Sequence, residues 1–183
     1  MIIMINGLIK NRYIYIYNVK MKNLCRDREL KFIKTLDASV YDLRIADNHI
    51  EIAAYNEINN KIMLLFKEKY YKINVNSNNI KSLDYAICLI SEQRYWEAHE
   101  VLENIWHEQY GIMKKTYQFI ILLCVANIHK QRGHIKTYKN VIARAMKMDT
   151  INKIENIDIT KLKNKFIANE NYKMDNYFKH LTP

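Results

Sequence analysis

The chain has 183 residues, 49% hydrophobic and 26% charged, which excludes a disordered tract and leaves room for one ordinary domain or two small ones. One proline and three glycines leave little material for flexible linkers or for a glycine-rich loop around a phosphate. The formal net charge of +10 is spread along the chain: residues 1–77 hold 13 Lys and Arg against 8 Asp and Glu, and residues 78–183 hold 16 against 11. That distribution reads as a solvated surface, with weak nucleic-acid binding left open.

Cys25, Cys88 and Cys124 are odd in number, far apart and form no CxxC pair, which argues against a disulfide framework or a cysteine zinc site and suits a reducing cytosol. The opening run Met1–Ile5 is too short for a signal segment, and the longest apolar run, Phe119–Ala126, is far below a membrane span. A cytoplasmic protein with no membrane partner is expected.

In chain order, Arg12–Val19 alternates at period two and reads as a strand. Arg26–Leu36 has helical spacing. Val40–Ala46 and His49–Tyr55 alternate on either side of the turn pair Asp47-Asn48. Glu57–Lys67 is helical again and Tyr70–Asn76 alternates. The order β-α-β-β-α-β is the split plan of a ferredoxin-like domain over residues 1–77, a plan that hosts many functions. Ile14, Ile16, Leu43, Ile45, Ile50, Ile52, Ile73 and Val75 are expected to face the helices. Tyr13, Tyr15, Tyr17, Arg44, Glu51, Tyr55 and Lys72 are expected on the other face, where tyrosines could stack bases or meet the helical part or a second subunit.

From residue 78 the period becomes helical, and the class is α+β with an all-α helical-bundle domain over 78–183. Ser82–Glu92 is the first helix there, with Ser82 as N-cap. Arg94–Gln109 follows and ends at Gly111. Met113–Arg132 is apolar nearly all round and reads as the central buried helix, stopped by Gly133 as a left-handed cap. Ile135–Met148 and Thr160–Asn171 complete the helices, the last capped by Asp158 or Thr160. Tyr172–Pro183 is left unassigned, and no internal repeat of fixed length is visible.

Arg94–Gln109 carries polar residues where apolar ones belong. At about 100° per residue, Tyr95, Trp96, Leu102, Glu103 and Trp106 fall within about 60° of His99, so His99 and Glu103 stand in an aromatic and aliphatic stripe, one turn apart and able to touch. An unpartnered buried carboxylate is costly. The candidates to satisfy Glu103 are His99, a metal, or Gln118 and His129 from the following helix. Antiparallel packing about Gly111 sets Gln118 opposite Glu103, with His129 about 9 Å beyond the level of His99.

The stretch Tyr95–Met148 resembles the family called domain of unknown function 309, whose hallmark H-x-x-x-E-x-x-W/Y is met by His99, Glu103 and Trp106. The lead-in Trp96-Glu97-Ala98 and the later Gln118, Ala126, His129 and Arg132-Gly133 fit the same pattern. The resemblance implies an all-α fold with no established activity, and metal binding as one suggestion for the motif. Two departures are His134, where the family often has Asn, and the bulkier pair Thr137-Tyr138.

Three readings follow. In the structural one, His99, Glu103, Gln118 and His129 form a buried polar network that sets helix register, walled by Tyr95, Trp96 and Trp106. In the metal one, His99 and Glu103 bind a divalent ion such as Zn, Mn or Fe, completed by His129, His107 or Glu100, with Glu100 or Glu103 as general base of a metal-dependent hydrolase. This is not the HExxH pattern, since Glu103 stands where its second His would be. In the third, the paired helices are an interaction module, self-associating or binding a partner, with RNA at the tyrosine sheet as a further option.

Overall fold

The computed structural model describes residues 12–18, 24–66, 70–74, 81–169 and 172–182, and the chain divides into two compact units, Met1–Asn78 and Asn79–Pro183. In the first, the elements are β1 (Tyr13–Tyr17), α1 (Arg26–Leu36), β2 (Val40–Ile45), β3 (Ile50–Ala54), α2 (Asn60–Phe66) and β4 (Tyr70–Asn74). The four strands lie in the order β2-β3-β1-β4, every neighbouring pair antiparallel. The expected ends of the second helix and the last strand, and the call on Val75, lie outside the described residues, as does the side chain of Ile73.

The facing of β1 is the reverse of the expected one. Tyr15 is paired with Ile52 and Tyr17 with Ile50, and directly opposed residues share a face. Both tyrosines therefore lie in the cluster with Leu30 and Ile33 of α1 and Ile62 and Phe66 of α2. The Tyr17 ring packs 4.7 Å from that of Phe66, and the Tyr15 hydroxyl accepts the Ile58 N–H at 3.2 Å. Burial pushes both phenols up in pKa. They are fully enclosed and not available to stack bases, while Tyr13 is half-buried and Tyr55 and Lys72 are exposed.

Ile14 and Ile16 instead share the opposite face with Arg44 and Glu51, and that face is buried as well. Buried charges there are paired: Arg44 Nε lies 2.9 Å from Glu51 Oε2, His49 Nε2 lies 3.3 Å from Glu51 Oε1, and Arg26 Nη2 donates to Asp42 Oδ1 at 2.8 Å. Leu43, Ile50 and Ile52 face the helices as their alternation predicts. In Tyr13–Tyr17 both alternating sets are apolar enough to be inside, so period two alone does not set the phase.

The second unit holds α3 (Leu83–Ser91), α4 (Tyr95–Trp106), α5 (Gly111–Gln131), α6 (Ile135–Met146), a two-residue hairpin of β5 (Lys153–Ile154) and β6 (Ile157–Asp158), α7 (Ile159–Ala168) and α8 (Met174–Phe178). The Ser82 hydroxyl accepts the Tyr85 N–H and the Asp158 carboxylate accepts the Lys161 N–H, so each caps its helix. By length and hydropathy α5 could cross a membrane, but most of it is buried inside the unit as the central helix. It packs against both α4 and α6.

The turns α3–α4 and α5–α6 have one geometry. After α5, Gly133 takes φ +77°, its N–H reaches the Lys130 carbonyl and the His134 N–H reaches the His129 carbonyl, both at 2.9 Å. After α3, Gln93 takes φ +63°, its N–H reaches Ile90 and the Arg94 N–H reaches Leu89, at 3.0 and 2.9 Å. Each is the two-bond left-handed cap, the first on the expected glycine and the second on a residue with a side chain.

Candidate functional site

The site is built on α4. Tyr95, Ala98, Val101, Leu102 and Ile105 are buried and fix which side of the helix meets the core. The centre of that side lies about 100° round from His99, so the motif stands on the flank of the stripe. A stripe drawn through Tyr95, Trp96, Leu102 and Trp106 centres near His99 because it leaves out Ala98, Val101 and Ile105, and its two tryptophans are only half-buried.

His99 and Glu103 do touch: Nε2 lies 3.3 Å from Oε1. The His99 side chain is 16% exposed and that of Glu103 41%, so the expected burial of the acid is corrected to a rim position, where water meets its remaining lone pairs. Glu100 approaches the other ring nitrogen, Nδ1, at 3.8 Å. The Trp96 ring lies 5.9 Å from the His99 ring. One helical turn on, Lys114 Nζ sits 4.3 Å from the centre of the Trp106 ring, a cation–π contact that anchors the start of α5 against the end of α4. The Trp106 indole N–H has no protein acceptor.

Gln118 and His129 do not join the pair. Gln118 is half-buried on α5 and makes no hydrogen bond to Glu103 among the described residues. His129 lies at the far end of α5, its ring 5.8 Å from that of His134. Its pKa is lowered by burial, and by Arg132 and His134. His107 is exposed beyond the helix end. Among the described residues no group of three His, Cys, Asp or Glu side chains is placed to hold a metal. The chemistry of His99 and Glu103 is therefore that of a close imidazole–carboxylate pair between indoles. The imidazole Nε2 stands against the Glu103 carboxylate, and its Nδ1 is enclosed without a hydrogen-bond partner.

A polar centre that periodicity does not reveal lies at Asp175, 2% exposed on α8. Its carboxylate accepts from Gln93 Nε2 at 3.1 Å, the Tyr95 hydroxyl at 3.2 Å and Lys179 Nζ at 2.8 Å, and Gln131 Nε2 donates to the Gln93 carbonyl at 2.8 Å. The network ties α8 to the α3–α4 turn and the end of α5. The one available sign in the chain is an acid inside the apolar run Met174–Phe178, where Met174, Tyr177 and Phe178 are buried beside it.

A half-exposed His–Glu pair on the second helix of a helical hairpin, with indoles on either side, defines the class of unit. Residues 83–141, from α3 to the middle of α6, match the family model described as Domain of unknown function (DUF309), the family that the motif resembles. No curated protein and no solved structure matches the chain.

Proposed function

We propose that the helical unit is a structural and interaction module whose contact strip is the flank of α4 bearing Trp96, His99, Glu103 and Trp106. The observation that carries this reading is the exposure of the motif. A pair kept for helix register would be enclosed, whereas Glu103 is 41% exposed while still holding His99. Half-buried indole rings at a surface suit contact with a partner. For the first unit we infer the ferredoxin-like plan, supported by its element order and by the strand order β2-β3-β1-β4. Free thiols at Cys25, Cys88 and Cys124 support a reducing, cytoplasmic setting. The metal-hydrolase alternative needs at least three protein ligands, and the described residues supply His99 and Glu103 without a third.

The test is urea unfolding of His99→Gln and Glu103→Gln, read by tryptophan fluorescence. Both tryptophans lie on α4, so the signal follows this unit alone. Surface placement predicts losses within about 1 kcal/mol. Losses of about 3 kcal/mol or more would mark a buried lock and overturn the reading. Saturable quenching by zinc that disappears in His99→Ala would restore the metal alternative.

A further inference from the structure

The charge of the helical unit is not evenly spread. Six of its eleven acidic residues fall between Asp84 and Glu108, and none occurs in the forty residues from Gln109 to Met148, which carry eight Lys and Arg. The α3–α4 hairpin is thus acidic and the α5–α6 hairpin wholly basic. On α6 the buried side is Tyr138, Ile142 and Ala145. The opposite side presents Lys136, Lys139, Asn140, Arg144 and the adjoining Lys147, all exposed and all within about 80° of Lys136 at 100° per residue. Lys136, Arg144 and Lys147 have no acidic partner among the described residues. Lys130 of α5 lies over the Tyr138 ring, and Asp149, past the C-terminal end, is held 3.8 Å from Lys115.

We propose that this face of α6 binds the phosphate backbone of a nucleic-acid duplex without sequence preference. The four cations span about 16 Å along the helix, a row suited to successive phosphates. No aromatic side chain is exposed among them, since Tyr138 is buried, so the stacking that single strands require is missing. The apolar side of α6 is committed to the core, so the helix has nothing to insert into a bilayer. A protein partner would more often be met by mixed charge than by a row of cations in a stretch of chain without an acid.

The experiment is fluorescence anisotropy of the full chain with a labelled 20-base-pair duplex across a salt series. Three phosphate contacts, from Lys136, Arg144 and Lys147, predict a slope of log K against log[salt] of about −2.7, or about a fortyfold loss between 50 and 200 mM salt. The triple variant Lys136→Glu/Arg144→Glu/Lys147→Glu is expected to bind at least tenfold more weakly, with a slope near zero. The neutral triple variant with Gln at the same positions should also bind more weakly, and melting of both checks the fold. Lys31→Glu/Lys34→Glu on α1, exposed in the other unit, should bind as the parent does. Duplex binding without salt dependence, or unchanged in both triple variants, would overturn the proposal. So would sedimentation with phosphatidylserine vesicles in the absence of duplex binding, which would assign the face to lipid.

Discussion

Gln93 sets two effects of opposite sign against each other. At φ +63° an L-residue costs roughly 1–2 kcal/mol relative to ordinary helical backbone, and Gln93→Gly removes that cost less the roughly 0.5–1 kcal/mol that glycine's freedom adds in the unfolded chain. The same change deletes the 3.1 Å bond from Gln93 Nε2 to the buried Asp175 carboxylate, a bond to a charged group worth about 1.5–3 kcal/mol. Asp175 keeps Tyr95 and Lys179, so the loss stays at the lower end. Gln93→Gly is therefore expected to be less stable by about 1 kcal/mol. The backbone part can be measured separately in the same chain. Gly133 occupies the equivalent cap at φ +77°, and a Cβ there would meet nothing within 4 Å, so Gly133→Ala reports the backbone cost alone. Both are read by urea unfolding followed through tryptophan fluorescence, which isolates the second unit from any separate transition of the first. If Gln93→Gly proves more stable than the parent by the amount that Gly133→Ala is less stable, the bond to Asp175 contributes nothing and the argument fails.

Two further outcomes follow from burial. Cys25 is exposed and Cys124 fully enclosed, and burial drives the Cys124 thiol far above its ordinary pKa. A thiol reagent at neutral pH should therefore modify Cys25 first and Cys124 only on unfolding, as mass mapping of a time course would show; early labelling of Cys124 would contradict its placement. The lowered pKa of His129 means that the unfolded chain takes up this proton first on acidification. This group's contribution to stability is thus complete above the ordinary histidine value of about 6.5 and declines as pH falls from there through the folded value. His129→Gln should flatten the pH dependence of the unfolding midpoint in that window, and an unchanged slope would remove His129 from the account.

Much of this architecture is legible in the chain because local and tertiary signals agree. Ser82, Gly133 and Asp158 are caps by residue type and are caps in the structure. The near-continuous apolar character of Met113–Arg132 belongs to the helix with neighbours on both sides. What stays illegible has physical causes. Gln93 could not be recognised as a left-handed cap, because its conformation is held by partners at Asp175 and Gln131, distant in sequence. The short α8 has no room to show a period, since its five residues make little more than one turn.

The placement of His99 shows most directly where such reasoning bends. An apolar stripe is located by the mean direction of its members, and that mean gives a tryptophan the same weight as a leucine. Leu102 and Ala98 are fully enclosed, yet Trp96 and Trp106 are only half-buried, because an indole is large enough to cover the core and still leave part of its ring outside. Adding two such residues to Tyr95, Ala98, Val101, Leu102 and Ile105 turns the mean by only about 25° toward His99, whereas a stripe drawn through Tyr95, Trp96, Leu102 and Trp106 alone turns it by roughly 75°, which moves His99 and Glu103 from an edge into an imagined interior. With the stripe drawn through Ala98, Leu102 and Ile105, the pair stands at its edge: Glu103 is half-exposed and lies against His99, the other ring nitrogen of His99 is enclosed without a hydrogen-bond partner, and what remains to be explained is why a surface carries them between two tryptophans.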